Sequence, residues 1–598
     1  MKPTKITINR PKVPKCWAES IVVGLDGFCE YVRGLIEHEK EKNKRYPILA
    51  FDGYPGVNWS VISVLEKNLK DKGLDVEIVD GFLLYKSPNE IWKMIHQYIT
   101  FDPFFGRVFD GHLEDFLDGG NVRELKERIK KRKASNKAMI CFGCGIANRS
   151  LRNLFGHIFY LDVNRTEFLK RIQKNSLWFV PPEATLGKGV ADVGLSVQAF
   201  KLSQYVGGVF DEHKRDMLKY LDFYVEGSAV EKPVLMPKEV FDGILSALAH
   251  RPIRLKPLYI PSPWGGQWIK KVRGLSDKDY VNCAWDFEAV TPEMSLELDI
   301  CGKRLEVPFL TLLWREREAI MGKYASKKFK WLFPIRFHYD DSWNGGNMAI
   351  QVHPNTSYVK NHFNEFLGQH ECYYIVATQP GSKVYLGLKE GIDLDEFYRA
   401  AKKAETERVP FDYDRYVNSI PSEAGDLFLI PAGTIHALGK NQVCMELGTT
   451  YGYTLHVYDY LRPGLDGNLR PIHLEHAFKA MKSYRKTNWV ARNLKQPPRT
   501  LRGGKEWAEY LLGRFREIPY EVRRLEFARE VKDDTRGRFH MVLLIEGSAV
   551  EIRSKEEPEK YIEINFSEAV IIPACFGRYV ITNTGEATSK ILKVLLKI

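Results

Sequence analysis

Gln351-Val352-His353-Pro354 is followed by Gly368-Gln369-His370-Glu371 and then by Pro431-Ala432-Gly433-Thr434-Ile435-His436. Gln351 and His353 alternate, so on a strand both side chains point to one face. Glu371 opens Glu-Cys-Tyr-Tyr-Ile-Val, whose aromatic and β-branched residues predict a second strand. His436 follows the apolar run Leu427-Phe428-Leu429-Ile430, bounded by Gly425 and Gly433, which predicts a third. Three neighbouring strands with inward ligands describe the inside of a small β-barrel. An amide oxygen, a carboxylate and two imidazoles make a ligand set for one divalent ion. Zinc, manganese, iron or cobalt suits it, with positions left open for water or substrate.

These motifs resemble those of the type I mannose-6-phosphate isomerases, cupin-fold metalloenzymes that interconvert an aldose phosphate and a ketose phosphate. Further landmarks follow in family order: Trp264-Gly265-Gly266, Phe333-Pro334-Ile335-Arg336-Phe337 and Val457-Tyr458-Asp459-Tyr460-Leu461-Arg462. The resemblance covers roughly residues 256–598. It implies a metal held by Gln351, His353, Glu371 and His436, zinc first among the candidates, and proton transfer through an enediol(ate). Glu446 stands where the family has an active-site Glu, and His456 is a second acid/base candidate. Arg336, Arg462 and Gln369 are the expected substrate contacts. Three departures concern the phosphate: Ala349 replaces the family's Ser, Gln369 its Lys and His456 its Arg. Two permanent charges are thereby lost from the expected anion site.

Ser567-Glu568-Ala569-Val570-Ile571-Ile572-Pro573-Ala574 repeats the pattern of residues 425–433 without its histidine. A second, metal-free cupin is expected. Leu394 to Lys403 predicts an inserted helix bordering the pocket.

The N-terminal third is of another kind. Short apolar runs at 47–52, 76–80, 138–141 and 158–162 alternate with helical patterns at 61–72, 88–99, 121–134 and 164–174, which predicts a parallel α/β sheet. The opening strand, glycine loop and helix resemble the P-loop of small-metabolite kinases such as uridine kinase. Gly53, Gly56, Ser60 and Asp80 match, but Asn58 and Trp59 replace the last Gly and the Lys that grips phosphate, so a vestigial nucleotide site is expected.

The chain thus reads as multidomain: a lead segment (1–45), a degenerate kinase-like α/β domain (46–175), a connector (176–255), a metal-binding cupin (256–475) and a metal-free cupin (476–598). The net charge of +12 includes the basic cluster 128–133, which ends an amphipathic helix and reads as a solvated face, not a nucleic-acid site. There is no signal segment and no apolar run of membrane length. Nine scattered cysteines fit a reducing cytoplasm, and Cys141-Phe-Gly-Cys144 reads as a strand exit. The expected activity is a metal-dependent aldose–ketose isomerase acting on a sugar or sugar phosphate. Alternatives are a non-catalytic sugar-binding cupin and a bifunctional kinase–isomerase.

Overall fold

The computed structural model describes residues 6–102, 104–132, 136–174 and 200–597, so the Pro and Gly residues expected at 181–189 of the connector lie outside the described residues. In the N-terminal part, strands Val76–Asp80, Ala138–Phe142, Ile48–Gly53, His157–Asp162 and Phe223–Glu226 lie side by side and parallel, in that order. Leu49, Ala50 and Phe51 are buried, as a central strand covered by helices on both faces requires. Val234–Pro237 and Val22–Val23 extend the sheet antiparallel, so the expected parallel sheet is a mixed one of seven strands. Three of its strands come from the expected lead segment and connector. They are only two to four residues long, too short to show a period in sequence.

Strand order reverses at Ile48–Gly53, the place where open α/β sheets leave a crevice. Here the crevice is filled. Tyr54 and Val57 are buried, and Trp59 packs on Phe82 and Phe142. Gly56 gives its carbonyl to the Arg171 guanidinium. The Ser60 N–H donates to Asn58 Oδ1 at 3.1 Å, and Asp80 accepts from Phe82 N at 2.9 Å. At Gly53 a Cβ would meet Leu161 O at 2.9 Å. The Ser60 N–H, one of the donors a phosphate would use there, is therefore spent inside the turn. The basic cluster is a solvated helix face as far as it is described: Arg128 and Arg132 both pair with Glu77.

The first β unit has two antiparallel sheets. Six strands run in the order Leu427–Ile430, Glu371–Thr378, Gln442–Thr449, Ile335–Asp341, Trp285–Ala289 and Leu258–Ile260. Five oppose them: Val417–Pro421, Lys383–Leu388, His436–Leu438, Ile350–Val352 and Leu455–Tyr458. The second unit repeats the plan with six and four strands; Tyr579 of its smaller sheet meets His540 of the larger at 2.8 Å. Helix Leu394–Glu407 does not border the first unit's central cavity, contrary to the sequence expectation. Its apolar stripe packs Phe397 on Tyr416 and Phe478 instead. Among the described residues no helix is long and apolar enough to cross a membrane.

A buried ion network joins the two β units. Glu288 Oε1 lies 2.9 Å from Arg254 and 2.8 Å from Arg273, while Arg254 also reaches Glu568 at 3.4 Å. The Ala569 N–H donates to Glu288 Oε2 at 2.7 Å.

Candidate metal centre

The register brings the predicted ligands together. Gln351 pairs directly with His436 on one side and with His456 on the other. Glu371 comes from the opposite sheet, flanked by Ile430 and Gly448. His353 Nε2 lies 3.0 Å from Glu371 Oε1, and His436 Nε2 lies 3.3 Å from Glu371 Oε2. The Gln351 amide end is 3.4 Å from His436 Nε2, and a flip of that amide aims its oxygen at the same point.

The tautomers are set by the backbone. His353 Nδ1–H donates to Tyr453 O at 2.8 Å and His436 Nδ1–H to Thr434 O at 2.9 Å. Both rings therefore present a lone pair at Nε2, the form a metal takes. His353 Nε2 and Glu371 Oε2 are buried and make no hydrogen bond, despite lying within ion-pair distance of Glu371 Oε1 and His436 Nε2 respectively. Such orphaned atoms are costly unless something else satisfies them. Donor set, tautomers and orphaned atoms all fit one divalent cation. Burial works against charge on Glu371, and in the ion-free site it is positive charge on His353 and His436, the charge a bound cation would replace, that holds its carboxyl well below the ordinary value.

The turn carrying His436 is braced from behind. Arg485, 1% exposed, donates through Nη1 to Pro431 O, Ala432 O and Thr434 Oγ1, each at 2.7 Å, and through Nη2 to Glu517. Gly433 has φ +88°, and a Cβ there would meet Lys482 Cγ at 2.7 Å and Ala480 O at 2.9 Å, so only glycine fits.

Gln351, His353 and Glu371 open into a cavity of about 140 Å³ whose wall also includes Arg336, His338, Glu446 and His456. Both acid/base candidates are thus on the wall. Glu446 Oε1 accepts from Arg336 Nη2 at 3.0 Å, and its Oε2 lies 3.2 Å from His338 Nε2. His338 Nε2 is 3.5 Å from Asp340, whose carboxyl burial and the neighbouring Glu446 push well above the ordinary range. His338, Asp340 and Glu446 form a second cluster of buried, ligand-type side chains. His456 Nδ1–H donates to Pro471 O at 3.0 Å.

Two expected substrate contacts lie off the metal cavity's wall. Gln369 is fully buried and off the cavity wall; its amide donates to Glu371 Oε1, so it orients that carboxylate. Arg462 is held by Asp459 at 2.6 Å and lines a separate cavity with Val457 and Leu461. Of the three, Arg336 alone reaches the metal cavity. Sequence reasoning missed His338 and Asp340, although their alternation within the Arg336 strand was a usable signal. It also missed Arg165 and Glu293, which line the cavity and sit in no motif. Cys141 and Cys144 are buried, and burial pushes the Cys141 thiol up to about 12, which suits a packed strand exit.

A domain of unknown function (DUF8485) matches residues 31–250. The chain is 26% identical over 234 residues to mannose-6-phosphate isomerase ManA of Bacillus subtilis, across 39% of this chain and 69% of that protein. It is 28% identical over 234 residues to the mannose-6-phosphate isomerase of Streptococcus mutans, across 38% of this chain and 68% of that protein. The solved structure of mannose 6-phosphate isomerase from Bacillus subtilis aligns with a TM-score of 0.47 and 20% identity, covering 57% of this chain and 99% of that one.

Proposed function

We propose that this protein is a metal-dependent aldose–ketose isomerase of the mannose-6-phosphate isomerase type, acting on a sugar phosphate. The observation that carries the reading is the meeting of His353, Glu371 and His436, all buried, beside a cavity that His353, Glu371, Glu446 and His456 line. The relatives named mannose-6-phosphate isomerase support the same reaction class.

Gln351, His353, Glu371 and His436 hold the cation, zinc by preference for this mixed nitrogen and oxygen set. When bound, the cation polarises the sugar's carbonyl oxygen and offsets the negative charge that develops on it. The protein's own groups move the protons. His456, on the cavity wall, takes the proton from one of the two reacting carbons and returns it to the other. Glu446 suits the hydroxyl proton better, because Arg336 holds its carboxylate on one side and His338 with Asp340 forms a hydrogen-bonding chain behind it on the other. Phe287, Trp264 and Trp285 line the same cavity and limit water around the intermediate.

The test is interconversion of mannose 6-phosphate and fructose 6-phosphate by protein loaded with one equivalent of zinc, against chelated protein and His436→Ala. Turnover by the loaded protein alone supports the reading. Stoichiometric metal without turnover of either sugar overturns it.

A further inference from the structure

The metal cavity is not built by the β unit alone. Phe104, Arg165, Leu169, Phe200, Ser203 and Gln204 of the α/β domain form part of its wall. The junction is bonded, not merely apposed. Val108 N donates to Phe363 O at 2.8 Å, Asn364 Nδ2 returns to Val108 O at 2.9 Å, and Gln204 Nε2 reaches Glu365 at 3.3 Å. Ser203 and Gln204 sit in the wide helical turn Leu202–Val206, a form that recurs at functional sites.

Three arginines line this cavity, and two are already neutralised. Arg336 serves Glu446 and Glu371, while Arg470 donates to Asp459 at 2.7 Å. Arg165 differs. Among the described residues no carboxylate lies within ion-pair distance of it; Nη1 donates to the Tyr54 hydroxyl at 3.3 Å, and its Nε is buried with no partner. Phe168 lies flat under the guanidinium at 4.4 Å, and the backbone of Arg165 is tied to Ser295 at 3.4 Å. Glu293 acts on Arg165 through space without a direct ion pair, and a held guanidinium with no carboxylate bonded to it and a donor to spare suits an anion. Glu293 lines the same wall, its Oε2 also without a partner and its carboxyl raised by burial, and suits a sugar hydroxyl.

We propose that the α/β domain completes the substrate site, with Arg165 as the residue that recognises the anionic group of the sugar. This rests on the isomerase reading above and deepens it. It also accounts for the lost Lys and Arg in the β unit, since the positive charge is supplied from the other domain.

The experiment uses the full-length, zinc-loaded protein with two probes, inorganic phosphate by calorimetry and fructose 6-phosphate by turnover. Arg165→Gln is expected to weaken phosphate binding and raise KM for the sugar phosphate roughly tenfold or more, with zinc content and kcat little changed. Arg165→Lys, a second variant should the first fold poorly, is expected to recover part of the loss. Phosphate affinity in a folded Arg165→Gln equal to that of the parent overturns the proposal, as does a parent that binds no phosphate. Loss of phosphate binding in Arg165→Gln from a parent that turns over no sugar phosphate sustains the anion site while sinking the isomerase reading.

Discussion

Arg336 donates through Nη2 to Glu446 Oε1 at 3.0 Å, and the same nitrogen lies 3.4 Å from Glu371 Oε1. One permanent charge therefore links a candidate metal ligand to a candidate proton carrier. Two glycines make room for it: a Cβ at Gly452 would lie 2.5 Å from Arg336 Nη1, and one at Gly448 would lie 2.9 Å from Nε.

Removing that charge leaves two buried carboxylates with less compensation. Arg336→Met is expected to destabilise the metal-free protein by about 3 kcal/mol. Zinc should restore part of this, because it supplies the missing positive charge only to the folded state. Thermal unfolding with and without zinc should show a larger zinc-induced rise in the variant than in the parent. Equal rises would contradict the electrostatic account.

His456 and Glu446 carry different protons in the proposed reaction, so their losses should differ in kind. His456→Asn is expected to reduce exchange of the sugar's carbon-bound hydrogen with solvent by roughly 10²–10⁴. Glu446→Gln should slow interconversion while leaving more of that exchange intact. Isotope exchange and net turnover, measured side by side, separate the two. Exchange that survives in His456→Asn at the parent's rate would remove it as the base.

Arg485 touches neither cavity nor cation, yet it bonds three oxygens of the turn that delivers His436. Groups that orient a ligand from behind set its affinity. Arg485→Met is expected to weaken zinc binding roughly 10–100-fold, read by competition with a chelating dye. An unchanged affinity would make the brace purely structural.

The second β unit carries a pH signature. His540 is buried, and burial together with the Lys593 ammonium pushes its pKa from 6.5 down to about 3, against the opposing pull of Asp533. An unfolded chain takes up a proton below 6.5 that the fold refuses. The stabilisation is thus complete above that value and is lost as pH falls toward about 3, at no more than about 1.4 kcal/mol per pH unit. Asp533, held well below its usual range, adds a loss of the same sign at still lower pH. Guanidinium midpoints of the parent and His540→Asn between pH 7 and pH 4 should converge as acid is added. Parallel curves would contradict this.

Sequence made the first β unit legible because its ligands recur at strand spacing. Alternation put Gln351 and His353 on one face, while joining them to Glu371 and His436 rested on the order of the motifs and the family resemblance. What it could not give was depth across domains. Arg165 sits in no motif and reaches the cavity only because its helix follows the strand His157–Asp162 and abuts Ser295. Gln369 reads as a substrate contact from its family position and Arg462 as a substitute anion contact, but family position says nothing of which carboxylate partner holds each side chain. The strands at 223–226 and 234–237 were hidden by their brevity. The filled turn at Trp59 was readable, since an indole in place of a lysine removes the charge and occupies the space.

The most direct test of the account is proton NMR of the zinc-loaded protein with fructose 6-phosphate and mannose 6-phosphate in D₂O. The account predicts zinc-dependent interconversion and solvent deuterium at the reacting carbons, abolished in His436→Ala and strongly reduced in His456→Asn. Tightly bound zinc with neither interconversion nor deuterium uptake in the parent would contradict it.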